Sequence, residues 1–382
     1  MKLNRFDKSV GKPLGIALSA TAIAAMSLTA CGSDNNAGTS SSSSAAGSPS
    51  AAAAAADCGG KNSVTAEGST AQQNAVAEFN KVWGQTCSGK TLAYNPTGSG
   101  AGIDQFIAKQ VDFAGSDSAL SADQTPKAAE RCGGNPAWNL PLVFGPVAMA
   151  FNVEGVDKLV VNGDVLAKIF QGQITKWNDP AIAAINSGAT LPDSDIKPIY
   201  RSDSSGTTDN FQKYLGAAAP AAWTKGAGKE FQGGAGEGAQ KSSGVVQAIQ
   251  ATPGGIGYVE KGFAQQAGLK MAQIDSGAGA VELTDETTGK AVDTAKFKGE
   301  GNDLILDLDA LYASKEAGSY PLMLATYEIV CSKGYDADTA AAVKSFLIVS
   351  ANQGQANLSA AGYVPLPDAF KERLLKSVDA IA

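Results

Sequence analysis

One arrangement occurs four times in this chain: a strand-like segment, then a turn of small or hydroxyl residues, then in most cases a helix-like segment. Alternating strands and helices favour an α/β fold with an open sheet. In such a sheet, the loops at the carboxyl ends of the strands line the ligand crevice. We therefore expect the four turns to converge on one small ligand. In chain order they contain Ser69-Thr70, Ser99-Gly100, Ser116-Asp117 and Ser205-Gly206-Thr207.

The fourth turn has the strongest chemical character. It precedes Phe211, Tyr214 and Leu215, whose spacing is that of one buried helix face. The first N–H groups of a helix have no partner inside the helix and carry the positive end of its dipole, so they suit an anion. Arg201 adds a forked, permanently charged donor. The turn predicts an anion site, whereas the simpler interpretation is a Ser/Thr helix cap beside a surface arginine.

The N-terminal residues have the pattern of an export signal. Four basic residues precede a mostly apolar stretch at 13–30, which ends in small residues directly before Cys31. This pattern is typical of a signal peptide, and the cysteine at its end is typical of a bacterial lipoprotein. We expect residues 1–30 to be removed and Cys31 to carry lipid; the alternatives are a secretory signal cleaved elsewhere or an uncleaved anchor. Residues 31–57 are mainly Ser, Ala and Gly, a composition that builds no core and predicts a flexible tether.

The composition restricts the fold and the partners. The 382 residues, 44% of them apolar, are enough for two domains. Without residues 1–30, the chain keeps 26 basic and 36 acidic residues, a formal net charge of −10. Such an acidic chain is a poor candidate for binding nucleic acid. An anion would have to be held by local donors against the overall field. The glycine-rich segment 226–244 predicts a surface loop.

Four cysteines remain after Cys31, an even number in an exported chain, so disulfides are expected. Cys58 and Cys87 flank one helix-like segment. Of the three possible pairings we therefore favour Cys58–Cys87 with Cys132–Cys331; free buried thiols are the alternative.

Several kinds of chemistry are missing from the sequence. The chain has no histidine and no CxxC pair, which excludes Ser-His-Asp and Cys-His nucleophiles and argues against a metal site. It has no GxxxxGK[ST] loop and no GxGxxG unit in a dinucleotide-binding context. We expect no metal and no cofactor.

Five motifs, in one order from about residue 60 to the C-terminus, resemble the PstS phosphate-binding proteins. These proteins are the extracytoplasmic receptors of the phosphate ABC importer. The motifs are GST at 68–70, TGSGAGI at 97–103, VDFAGSD at 111–117, RSDSSGTT at 201–208 and GGIGYVE at 254–260.

The resemblance implies a type II periplasmic-binding-protein fold, an α/β fold with two lobes and a ligand cleft between them. Two apolar strand-like segments, 148–153 and 322–330, are expected to cross between the lobes. We therefore predict that 58–148 plus 325–382 form lobe I and that 149–324 form lobe II. The resemblance further implies a lipid-anchored protein on the outer face of the cell membrane. It would capture inorganic phosphate, deliver it to the membrane-embedded permease subunits, and have no enzymatic activity.

The resemblance also implies a set of phosphate ligands. Two positions depart from the family pattern: Ala71, where a larger residue is frequent, and Ser204, where glycine is frequent. The implied ligands are Thr70, the backbone N–H of Ala71, Ser99, Asp117, Arg201, Ser205, the backbone N–H of Gly206, and Thr207.

Asp117 has a distinct role in this set. Phosphate at neutral pH keeps at least one proton, and sulfate keeps none. A carboxylate in the cleft can accept the P–OH hydrogen bond, whereas toward sulfate it is an unpaired like charge. The alternative for Asp117 is a capping aspartate. We expect Asp203 to pair with Arg201 and orient it rather than to touch the ligand.

Two other functions are compatible with the sequence. One is a binding protein for another oxyanion or a small organic anion, which competition between phosphate and sulfate would reveal. The other is a phosphate-ester hydrolase, which the lack of histidine and of a carboxylate cluster disfavours and which a chromogenic phosphatase assay would detect.

Overall fold

Strands and helices alternate through residues 57–299 and 301–382, the part of the chain that the computed structural model describes. The predictions for the signal peptide, Cys31 and nearly all of the tether lie outside these residues. The strands are β1 (Ser63–Gly68), β2 (Thr91–Pro96), β3 (Phe113–Ser116), β4 (Ala137–Asn152), β5 (Val160–Val161), β6 (Lys197–Arg201), β7 (Glu237–Ala239), β8 (Gly255–Glu260), β9 (Lys270–Met271), β10 (Gln273–Asp275), β11 (Ala280–Val281), β12 (Lys296–Phe297), β13 (Leu306–Asp307) and β14 (Met323–Cys331). The α-helices are α1 (Gln73–Thr86), α2 (Ser99–Ile107), α3 (Gln124–Arg131), α4 (Gly163–Phe170), α5 (Pro180–Ile185), α6 (Gly206–Ala218), α7 (Lys241–Ala251), α8 (Lys261–Gln266), α9 (Asp285–Asp293), α10 (Asp309–Tyr312), α11 (Ala337–Asn352) and α12 (Asp368–Asp379).

Strand β4 joins the two halves of the main sheet, whose order is β2-β1-β3-β14-β4-β8-β6-β7, with β9 also paired to β4. The part of β4 up to Pro146 pairs antiparallel with β14, and the part from Val147 onward pairs antiparallel with β8. In one half β1 is parallel to β2 and β3; in the other, β6 is parallel to β7 and β8. The chain thus passes from the first half to the second along β4 and returns to the first half at β14. The predicted lobe boundaries, 58–148 plus 325–382 and 149–324, stay a prediction.

The core lies between the sheet and the helices that cover it. Strands β8 and β14 are buried at every position, so they read in the sequence as continuous apolar runs rather than as alternations. The helix faces predicted from spacing are buried as well. Phe211, Tyr214 and Leu215 of α6 are each 0% exposed.

Two disulfides tie the first half of the sheet together, and both predicted pairings are confirmed. Cys58–Cys87 joins the segment before β1 to the end of α1, and Cys132–Cys331 joins the end of α3 to the end of β14. The second bond links residues 199 positions apart. By the loop-entropy relation, such a bond stabilises the folded state by up to about 5 kcal/mol.

The glycine-rich segment 226–244 differs from its prediction as a surface loop, because it ends in β7 and the first turn of α7. Strand β7 has only three residues and is held by parallel pairing to β6, an interaction between distant segments that local composition does not reveal. Across residues 57–299 and 301–382, no helix has both the length and the apolar composition needed to cross a membrane.

Candidate anion-binding site

Turns from both halves of the main sheet meet at one edge, because the strands that precede them place their carboxyl ends there. We define the first wall as residues 69–71, 99 and 117, which follow β1, β2 and β3, and the second wall as residues 201–207 and 242, which lie at the ends of β6 and β7. The two walls are in direct contact. The Gly206 N–H donates to Ser99 Oγ at 3.1 Å, and the hydroxyls of Thr70 and Ser242 lie 2.8 Å apart.

Asp117 is the central carboxylate of the first wall and is 3% exposed. Its Oδ1 accepts hydrogen bonds from Ser69 Oγ at 2.6 Å and from Thr326 Oγ1 at 2.7 Å. Its Oδ2 accepts from Ser99 Oγ at 3.1 Å. The helix that follows, α3, does not begin until Gln124, and Asp117 caps no helix. The capping alternative is therefore wrong. Of the two carboxylate oxygens, Oδ2 faces the second wall, since a Cβ on Gly206 would lie 2.8 Å from it.

The environment of Asp117 changes its titration. Burial raises the pKa of its carboxyl to about 6; the hydrogen bonds from Ser69 and Thr326 oppose the rise, and the nearby Glu260 adds to it. The group is thus mostly ionised at neutral pH and acts as a hydrogen-bond acceptor.

A second carboxyl of the same region, that of Glu328 on β14, is fully buried. Neither of its oxygens has a hydrogen bond of normal length and angle to the described protein atoms, although the Gln72 side chain lies close by. Burial raises the pKa of Glu328 to about 8, with Gln72 opposing the rise and the charge of Asp117 adding to it. Glu328 is therefore mostly neutral at pH 7 and places no second negative charge beside Asp117.

Arg201 ends β6 and is 3% exposed, so it is not the surface arginine of the simpler interpretation. Its Nε and Nη2 donate to the two oxygens of Asp203 at 2.7 and 2.5 Å. Burial alone would lower the pKa of Arg201, but the Asp203 pair outweighs it and raises that pKa. Asp203 also accepts from the backbone N–H of Lys241 at 2.9 Å, which fixes the start of α7 on the same carboxylate. The prediction that Asp203 pairs with Arg201 is confirmed.

The N-terminus of α6 forms the rest of the second wall. Ser205 Oγ accepts from the Thr208 N–H at 3.3 Å, so the cap interpretation holds for this residue. Thr207 Oγ1 donates to Glu260 Oε1 at 2.6 Å. At Gly206 a Cβ would lie 2.6 Å from both Asp117 Cβ and Ser99 Oγ. Only glycine therefore lets this helix terminus approach the first wall so closely.

The first turn is organised around Ser69. Besides donating to Asp117, Ser69 Oγ accepts from the backbone N–H of Ala71 at 3.0 Å. Thr70 Oγ1 accepts from the backbone N–H of Ser242 at 3.3 Å. A hydroxyl of the first turn thus reaches the N-terminus of α7 in the second wall.

All eight residues that the resemblance implies as ligands lie in the two walls, which meet through the Gly206–Ser99 and Thr70–Ser242 contacts; their role as ligands stays a prediction. Sequence reasoning missed Ser242, Glu260 and Thr326. The sequence could have indicated two of these residues. Ser242 stands in another strand, hydroxyl turn and helix segment, and Glu260 is the last residue of the GGIGYVE motif. Thr326 lies within an apolar strand, and no sequence pattern marks it as a site residue. The eight residues are Thr70, Ala71, Ser99, Asp117, Arg201, Ser205, Gly206 and Thr207.

The arrangement suits a small oxyanion that carries a proton. It combines the N-termini of α2, α6 and α7, several hydroxyls, one buried guanidinium and the buried carboxyls of Asp117 and Glu260. Among residues 57–299 and 301–382, no group of three or more His, Cys, Asp or Glu side chains has a metal-binding arrangement.

Residues 38–352 match the model of the PBP superfamily domain. Phosphate-binding protein PstS 3 of Mycobacterium tuberculosis is 50% identical over 384 residues, covering 100% of both chains. Phosphate-binding protein PstS 2 of the same organism is 48% identical over 372 residues, covering 96% of this chain and 98% of that protein.

A high-affinity periplasmic phosphate-binding protein, PfluDING, solved with bound phosphate, has a similar fold. It has a TM-score of 0.65 and 24% identity, and the match covers 81% of this chain and 92% of that one. The α/β fold class predicted from the sequence, a two-lobed periplasmic-binding-protein fold, is confirmed.

Proposed function

The chain belongs to the PstS family of phosphate-binding proteins, and from this premise we propose that the two walls bind one inorganic phosphate ion. The protein captures phosphate outside the cytoplasm and delivers it to the permease of an ABC importer. The observation that carries the proposal is the direct contact between the walls. Ser99 Oγ lies within hydrogen-bond distance of both the Gly206 N–H and Asp117 Oδ2, so one small ion can contact both walls at once.

The chemistry of the walls supports phosphate over other oxyanions. Arg201 and the N-terminus of α6 supply positive charge and N–H donors, which any oxyanion accepts. The ionised carboxylate of Asp117 needs a proton from the ligand. Phosphate has one at neutral pH and sulfate has none, so Asp117 attracts the first and repels the second. The ligand set also includes the hydroxyls of Ser99, Ser205 and Thr207. The first turn adds Thr70 and the backbone N–H of Ala71.

The location and partners follow from the N-terminus. Residues 1–30 direct export, Cys31 carries the lipid that holds the protein on the outer face of the cell membrane, and residues 31–57 tether the binding domain to it. The membrane-embedded permease subunits receive the phosphate. The proposed role is binding rather than catalysis: the hydroxyls that donate to Asp117 serve as ligand donors, and the relatives are named phosphate-binding proteins.

Equilibrium binding of labelled phosphate to the purified protein tests this function. We expect saturable binding of one phosphate per chain that excess unlabelled phosphate displaces and excess sulfate does not. Displacement by sulfate at similar concentration would favour a general oxyanion receptor, and absence of phosphate binding would refute the proposal.

A further inference from the structure

A cavity of about 450 Å³ opens beside Asp117. Asp117 and Asn210 belong to its lining, and both also contact the site: the Asn210 amide donates to the Asp117 carbonyl at 2.7 Å and to the Gly206 carbonyl at 2.8 Å. Since one water molecule occupies about 30 Å³ of liquid, the cavity has room for a phosphate ion with several of its waters. The cavity therefore adjoins the proposed phosphate site and is large enough for the hydrated ligand.

Three lysines line this cavity, and two of them are paired with carboxylates. Lys213 bonds Asp209 at 2.7 Å, and Lys298 bonds Asp309 at 3.1 Å. Lys229 forms no ion pair with any residue in 57–299 or 301–382, and burial lowers its pKa. The cavity thus holds one cation whose charge no neighbouring carboxylate neutralises by direct contact.

The backbone around Lys229 is held firmly by α6, although the loop is rich in glycine. The Ser205 N–H donates to the Lys229 carbonyl at 3.0 Å. The Gln212 amide donates to the carbonyls of Gly228 and Glu230 at 2.8 and 3.1 Å. Three consecutive carbonyls are therefore anchored to the helix whose N-terminus forms the second wall, and this fixes where Lys229 stands relative to the site.

Lys229 is half-buried, whereas Asp117 is 3% exposed. An anion that reaches the cavity from solvent consequently meets the lysine before the carboxylate. Without residues 1–30 the chain has a formal net charge of −10, which repels anions, so a local positive charge on the access route increases the rate of encounter.

We propose that this cavity is an encounter site for inorganic phosphate, in which Lys229 holds the hydrated ion before it reaches Asp117 and the two walls. This inference rests on the proposed function and assigns Lys229 a role in the association rate rather than in the final complex. Lys213 and Lys298 contribute less, because Asp209 and Asp309 already compensate their charges.

Stopped-flow measurement of phosphate association and dissociation over a range of ionic strengths tests the proposal. Lys229→Ala should lower kon about three- to tenfold at low ionic strength, with the difference from wild type shrinking as salt screens the charge. The dissociation rate should change less than kon. Lys229→Arg keeps the charge and should keep the wild-type kon. The matched control is Lys225→Ala, which removes an exposed lysine of the same loop outside the cavity lining and should leave kon unchanged.

Three results would overturn the inference while leaving phosphate binding intact. They are an unchanged kon in Lys229→Ala, an equal loss in Lys225→Ala, or a loss of affinity that lies entirely in the dissociation rate. The last result would make Lys229 a contact of the final complex. Equilibrium binding of labelled phosphate to the wild type is measured first; if it fails, the proposed function fails, and this inference with it. Thermal unfolding of each variant checks that a reduced rate does not come from a reduced folded fraction.

Discussion

The central charged side chains of the two walls have opposite signs, and only one of them has a direct ion-pair partner. In the second wall, Arg201 is bonded to both oxygens of Asp203, so its charge is compensated and its orientation is fixed before any ligand arrives. In the first wall, Asp117 accepts only neutral hydroxyls, from Ser69, Ser99 and Thr326, so its charge has no paired cation. On the proposed function, we therefore expect the arginine wall to supply affinity for any oxyanion and the aspartate wall to supply discrimination between oxyanions.

The largest effect should come from the arginine wall. Arg201→Ala removes the buried guanidinium and leaves Asp203 as an unpaired negative charge beside the site. Charge-assisted hydrogen bonds contribute about 1.5–3 kcal/mol each, so phosphate affinity should fall at least about tenfold, and sulfate affinity by a similar factor. Isothermal titration calorimetry measures both. Lys197→Ala, at the exposed start of the same strand, is the control and should bind as the wild type does.

Forcing the walls apart should have the next largest effect. Gly206→Ala places a Cβ 2.6 Å from Asp117 Cβ and Ser99 Oγ. Overpacking of this kind costs about 1–3 kcal/mol, so phosphate affinity should fall roughly tenfold. Gly216→Ala is the control in the same helix. Its added Cβ would lie 3.9 Å from the nearest atom, an ordinary contact, so affinity should stay unchanged. Equal affinities of the two variants in the same titration would contradict the close approach of α6 to the first wall.

The buried carboxyl of Glu328 should make the stability of the protein depend on pH. Glu328 has its folded-state pKa raised to about 8, so the native protein binds its proton more tightly than the unfolded chain does. The free energy of unfolding should then fall as pH rises from about 5 to about 8, by at most about 1.4 kcal/mol per pH unit. Glu328→Gln has no proton to lose and should flatten this fall.

Urea unfolding at pH 5 and pH 8 measures the difference. Glu316→Gln, at an exposed glutamate, is the control and should keep the wild-type slope. If Glu328→Gln keeps the same pH dependence as the wild type, the buried carboxyl is not the source of the decline.

The position of the candidate site could be predicted because its residues stand in short local motifs, whereas the individual ligands were implied by the resemblance to the PstS family. A strand, a hydroxyl turn and a helix start are adjacent in sequence, and the carboxyl ends of parallel strands meet in space. The Arg201–Asp203 pair could also be predicted, since the two residues are two positions apart. Both disulfides followed from the count and spacing of the cysteines.

The features of the fold and the site that the sequence did not predict depend on contacts between distant segments. Thr326 donates to Asp117 across 209 positions of sequence, and nothing in the apolar segment around it indicates this bond. Likewise, β7 exists only through its pairing with β6, and the raised pKa of Glu328 comes from burial that the whole fold creates. Such features arise from tertiary packing, which local propensity does not encode.

The most direct test of the division between the walls is a calorimetric titration of phosphate and sulfate into the wild type, Asp117→Asn and Arg201→Ala. Asp117→Asn replaces an acceptor that needs a ligand proton with an amide that can donate to an unprotonated oxygen. Its preference for phosphate over sulfate should shrink at least about tenfold, a change of about 1.4 kcal/mol, while Arg201→Ala loses affinity and keeps the preference. Because the pKa of Asp117 is about 6, the wild type should lose preference in the same direction as the pH falls through that value. An unchanged preference in Asp117→Asn, or an equal loss of preference in both variants, would contradict the account.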